Sequence, residues 1–95
     1  MHHLSADYAE GYTLTELRGI EDKGQMILAA FRHYAVRGGE ALLPQNITAF
    51  AWNCGRSSAD AKVGLLYARK KRWVVTSSTG LISLTNEGFE EIQLH

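Results

Sequence analysis

The chain has 95 residues, enough for one small domain with a single modest core, and its 45% hydrophobic, 21% charged composition with one proline excludes a disordered tail. The formal net charge is zero, which selects neither nucleic acid nor membrane as partner. No apolar run approaches the roughly 20 residues of a membrane span, no signal-peptide pattern opens the chain, and the lone Cys54 excludes an internal disulfide or a cysteine-rich zinc site, so a cytoplasmic protein without metal or cofactor is expected.

Residues 1 to 19 mix turn formers with isolated aromatics and are expected to form an extension ahead of a domain covering 20 to 95. Within it, "TLTE" at 13 to 16 has capping-box spacing, with Thr13 and Glu16 three residues apart, so a short helical turn can begin there. From about Ile20 to Val36, Ile27, Ala30, Phe31, Tyr34 and Ala35 recur at helical intervals, and Gly38 and Gly39 follow as a stop. A short apolar strand, "ALL", leads to Pro44, which suits the first turn of a helix carrying Ile47, Phe50, Ala51 and Cys54 on one face until Gly55. Ser57 and Ser58 can accept backbone N–H groups at the start of a third helix that runs to about Arg72. Two β-rich arms, 73 to 76 and 81 to 84, flank a Ser77-Ser78-Thr79-Gly80 turn. Thr85 or Asn86 can then cap a last helix whose Phe89 and Ile92 fold back on the core.

The charge is unevenly distributed. Residues 1 to 31 and 73 to 95 are each net −3 and residues 32 to 55 are +1, whereas 56 to 72 hold Arg56, Lys62, Arg69, Lys70, Lys71 and Arg72 against Asp60, which leaves +5.

Three helices, a short strand between the first two, and a closing hairpin follow the order of a winged helix-turn-helix. Ala51, Gly55 and Ala61 have the spacing of a tight helix-turn-helix: a small residue at the crossing, a glycine for the turn and an apolar anchor in the next helix. With "AWNCG", "GLLYARKKRWV" and the strand exit "ISLTNEG", the stretch from about Ile20 to Ile92 resembles the winged helix-turn-helix DNA-binding family. The resemblance implies a mainly α fold: a three-helix core, a small antiparallel β-hairpin as wing, and a short C-terminal helix. It also implies double-stranded DNA binding, as a small transcriptional or accessory regulator, and the pairing of two copies as a homodimer.

In the third helix two stripes compete for the core. Ala61, Leu65 and Ala68 form one; Ala59, Val63, Leu66 and Lys70 form another on nearly the opposite side. The first is assigned inward, because it matches the spacing from Gly55 and carries the chain into Trp73, whereas the second would aim Lys70 at the interior. Its small residues are expected to admit Phe31 and Phe50. In this phase Lys62, Arg69 and Lys70 face outward and Lys71 and Arg72 point sideways or back.

The resemblance places the third helix in the major groove, N-terminal end leading, with Arg56, Ser57, Ser58 and Lys62 at phosphates or base edges, Arg69 and Lys70 flanking, and Ser77, Ser78 and Thr79 of the wing contributing hydroxyl and backbone hydrogen bonds. The bland account of the cations is the macrodipole, which favours positive charge in a last helical turn. A protein-interaction module is the alternative, with Val63, Leu66, Tyr67 and Trp52 docking a partner, since the expected outer face carries an apolar stripe and the wing turn no cation. The spacing leaves Trp52 undecided between core and surface.

No catalytic set emerges, and an enzyme is not expected. Cys54 and His33 lack an orienting third residue, and Cys54 falls where a small core residue belongs. Met1, His2 and His3 form an incidental copper- or nickel-type terminus. Glu87, Glu90 and Glu91 read as a solvated helix face.

Overall fold

The computed structural model describes residues 13 to 94. The first helix, α1 (Leu14–His33), is set by a full capping box: the Thr13 hydroxyl accepts from the Glu16 N–H at 3.1 Å, and the Glu16 carboxylate accepts from the Thr13 N–H at 2.8 Å. These two bonds satisfy donors that a helix start otherwise leaves open, so the helix begins six residues earlier than its apolar periodicity indicates. The expected division between residues 19 and 20 therefore runs through one continuous helix.

The end of α1 also differs from expectation, because Ala35, not a glycine, takes the left-handed conformation, with φ of +56°. The Val36 N–H then bonds the Phe31 carbonyl and the Ala35 N–H that of Arg32, while the Val36 side chain is buried. This is the Schellman arrangement, with an apolar residue just past the turn returning to the core.

The chain continues through β1 (Ala41–Leu42) into α2 (Pro44–Asn53), which starts on Pro44 and ends at Gly55 with φ of +76°. The third helix, α3 (Ser58–Lys70), is capped by Ser57 and ends at Arg72, a left-handed residue with φ of +65°. Both repeat the α1 ending: Arg56 N–H bonds the Ala51 carbonyl, and Trp73 N–H that of Ala68. Only one of the three left-handed positions is glycine. A left-handed L-residue costs about 1–2 kcal/mol, and glycine gives back about 0.5–1 kcal/mol through its freer unfolded chain. Ala35→Gly and Arg72→Gly are each expected to stabilise the domain by about 0.5–1 kcal/mol, read as a melting temperature raised by roughly 4 °C. A lowered melting temperature in both would contradict the left-handed assignment.

After Arg72 the strands β2 (Val74–Thr76) and β3 (Ile82–Leu84) form a hairpin, and β1 pairs with the free side of β3. The result is a three-stranded antiparallel sheet in the order β1-β3-β2, one strand larger than the hairpin expected. Leu42, Ile82, Val74 and Leu84 point into the core, whereas Ala41, Ser83 and Val75 stand in one row on the other face. The last helix, α4 (Asn86–Leu94), is tied to the end of α3 through Thr85, whose hydroxyl bonds the Arg72 and Trp73 carbonyls and accepts from the Gly88 N–H.

The fold is thus mainly helical, four helices with a small antiparallel sheet. Its centre is Phe31, Ile27, Ile82, Leu84 and Val74, with Ile20, Phe50, Leu65, Phe89 and Ile92 packed half-buried around them. The close approach of α3 to α1 depends on Gly64: a methyl group there would lie 2.2 Å from the Lys23 carbonyl oxygen. Among the described residues, no helix is long and apolar enough to cross a membrane.

Candidate nucleic-acid interface

The inward stripe of α3 is the expected one. Ala61 and Ala68 are buried and Leu65 half-buried, together with Gly64, while Ala59, Leu66 and Lys70 are exposed and Val63 lies at the boundary. The crest of the exposed face is formed by Ala59 and Leu66, the latter 60% accessible, with Lys62 and Arg69 along one side and Lys70 along the other. Lys71 and Arg72 are exposed as well, and Arg56 is half-buried at the turn before the helix. The residues that the structure brings to one surface are therefore Ser58, Lys62, Leu66, Arg69 and Lys70.

The start of α3 is more occupied than its sequence indicates. Ser57 N–H donates to the Asp60 carboxylate, and the Asp60 N–H donates to the Ser57 hydroxyl, both at 3.1 Å. The ammonium of Lys23 on α1 sits 3.3 Å from the other Asp60 oxygen. The bond from the Ser57 main chain is the main reason that the Asp60 carboxyl is held below its ordinary range, with Lys23 reinforcing it. A fixed negative charge thus stands where a phosphate would meet the helix end, and Ser57, expected to hold that phosphate, is turned to Asp60 instead. The S-x-x-D spacing of Ser57 and Asp60 carried this signal. Ser58 keeps an exposed hydroxyl.

The β2–β3 turn is similarly self-satisfied. The Ser77 hydroxyl accepts from the Leu81 N–H and lies 2.9 Å from the Thr79 hydroxyl, so two of the three expected hydroxyl donors are engaged in closing the turn. Ser78 is the one with no side-chain hydrogen bond among the described residues. Gly80 takes the expected positive φ, +90°.

Tyr67, expected on the exposed face, is 7% accessible. Its ring lies over Gly24 of α1 and meets Trp73 edge-on at 5.6 Å, with its hydroxyl directed to the Glu21 carboxylate at 3.5 Å. The space that Gly24 leaves in α1 draws the ring inward, and a one-helix periodicity cannot register a gap in a neighbouring helix. The opposite correction applies to Cys54, expected as a small core residue: it is the α2 cap residue and is exposed, because the helix stops at Asn53 and the chain turns away at Gly55 instead of continuing the face of Ile47 and Ala51. Trp52, undecided in sequence, is 75% accessible.

The His33 ring packs against Phe50 and Tyr34. Glu87 and Glu90 are exposed on α4 and Glu91 is half-buried. Among the described residues no cluster of three or more His, Cys, Asp or Glu is placed to hold a metal ion. The terminal set Met1, His2 and His3 and residues 1 to 12 of the expected extension lie outside the described residues. No family model, curated protein or solved structure matches the chain.

Proposed function

We propose that the chain is a winged helix-turn-helix domain that binds double-stranded DNA through the outer face of α3. The observation that carries the reading is the exposure of Lys62, Arg69 and Lys70 above a buried stripe of small residues, within the one strongly basic segment of a neutral chain. The helix, strand, helix, helix, hairpin order supports it, with the β2–β3 turn as the wing. Arg56 and the three outward cations of α3 neutralise phosphates and release counterions, and Ser58 and Ser78 add neutral hydrogen bonds. Because Asp60 offsets the contacts of Arg56 and Ser58 at the helix start, most of the phosphate contact falls on Lys62, Arg69 and Lys70 in the middle and C-terminal turns of α3, and Leu66 at the crest meets base edges, where a thymine methyl is the apolar contact available.

Binding through about four phosphates carries a salt slope of roughly −0.9 per contact, so affinity for a mixed-sequence duplex is expected to fall about 100-fold between roughly 50 and 200 mM salt. Fluorescence anisotropy measures this directly. A flat titration contradicts the reading.

A specific observation favours a second reading. Trp52 and Leu66 are 75% and 60% accessible, a large exposed apolar contribution from two consecutive helices of so small a domain. In that reading the same fold docks a protein partner or a second copy, and Leu66 is an anchor instead of a base contact.

A further inference from the structure

Away from α3, the C-terminal end of α1 and the last helix α4 enclose an open cleft of about 390 Å³, lined in part by Arg32, Val36, Arg37, Phe89, Ile92 and Gln93. A smaller hollow of about 100 Å³ continues from it along α1 past Leu28 and Ala29, sharing Arg32 and Ile92. The larger volume falls in the range of small-molecule sites, about 300–1,000 Å³.

The composition of the lining is one-sided. Val36, Phe89 and Ile92 supply an apolar floor, and the charged groups are two guanidinium groups with no carboxylate in either lining. On α4, Phe89, Ile92 and Gln93 share the side that meets the cleft, Glu87 and Glu91 fall on the opposite side of the helix, and Glu90 lies on the flank between them, outside the lining. The nearby Glu40 carboxylate accepts from the Arg37 main-chain N–H. Among the described residues neither guanidinium has an ion pair or a side-chain hydrogen bond.

The helix dipole accounts for Arg32, which stands in the last turn of α1. It does not account for Arg37, which lies beyond the helix. The dipole also opposes an anion at this end of α1, but the Ala30, Phe31 and Arg32 carbonyls are already bonded by the Tyr34, Ala35 and Val36 N–H groups, and two full guanidinium charges outweigh the roughly half-charge of a helix end.

We propose that this cleft binds a small amphipathic carboxylate, its anionic head on Arg32 and Arg37 and its aliphatic or aromatic body against Val36, Phe89 and Ile92. Guanidinium groups suit this head, because a planar fork of donors matches a carboxylate in a bidentate geometry. The site is separate from the α3 face, and duplex DNA is absent from every arm of its test, so the fate of the DNA reading leaves it untouched.

The test is an NMR titration of the full chain with octanoate as the probe, alongside octan-1-ol, which keeps the body without the charge, and acetate, which keeps the charge without the body. Octanoate is expected to shift the Val36 and Ile92 methyl resonances saturably, while octanol and acetate each bind at least about tenfold more weakly. Arg32→Gln/Arg37→Gln, both at exposed positions, is expected to weaken octanoate about tenfold while the melting temperature falls by no more than roughly 5 °C, the loss of Arg32 from the last turn of α1. Unmoved cleft resonances, octanol binding as tightly as octanoate, or equal octanoate affinity in the folded double variant would each overturn the proposal. The comparison of the three ligands on the unaltered chain stands even if the variant does not fold.

Discussion

Gly64→Ala is expected to lower the unfolding free energy by about 2–3 kcal/mol, whereas Gly19→Ala is expected to raise it by about 0.5–1 kcal/mol. Both glycines sit inside helices, and helix propensity alone favours alanine at both by about 0.8–1.0 kcal/mol. The difference lies in what the added methyl meets. At Gly19 nothing stands within 4 Å of it, whereas at Gly64 it would fall 2.2 Å from the carbonyl oxygen and 2.6 Å from the carbonyl carbon of Lys23. Those are backbone atoms of α1 and cannot swing aside. The helices must separate instead, loosening Ile27, Ala61 and Ala68, and overpacking of this kind costs typically 1–3 kcal/mol before the wider loss of contact. Urea denaturation of the two variants measures both effects, and a stabilised Gly64→Ala would refute the close crossing of α1 and α3.

Reversing two charges, Lys62→Glu with Arg69→Glu, is expected to weaken duplex binding by at least about 100-fold at low salt, or about 2.7 kcal/mol, and to reduce the salt slope by about 1.8. Each substitution removes one phosphate contact and sets a carboxylate against the backbone of the duplex. Both side chains are exposed and neither forms an ion pair among the described residues, so the unfolding free energy is expected to fall by no more than about 1 kcal/mol, chiefly from the reversed charge in the last turn of α3. Leu66→Asp separates the two readings of the same face. For a protein-docking crest it abolishes association, measured by sedimentation, while the charge reversal does little; for a DNA-binding helix the order of effects is the reverse. Binding of DNA undiminished by the double reversal would end the proposal for α3.

Much of the architecture was legible along the chain because it is written in local chemistry. Pro44 and Gly55 bracket α2, Ser57 opens α3, and Gly80 turns the hairpin, each through a backbone requirement that one residue meets by itself. The inward phase of α3 was legible too, because its spacing from Gly55 and its continuation into Trp73 agree on the same stripe. The misreadings have a common cause. Ala35 ends α1 because Val36 has a place in the core, Tyr67 turns inward because Gly24 on another helix leaves room, and β1 completes the sheet because β3 offers a free edge. None of these is visible from the residue concerned.

The sequence by itself determined where helices start, which stripe of α3 is apolar and small, and where positive charge concentrates, because caps, periodicity and charge act over a few residues. Only the tertiary structure decided which of those charges stay available. It brought Lys23 of α1 to Asp60, laid Tyr67 over Gly24, and gathered Arg32 and Arg37 into one cleft with Phe89 and Ile92. Hydrogen bonds and burial between residues far apart in the chain depend on distances that no local pattern encodes.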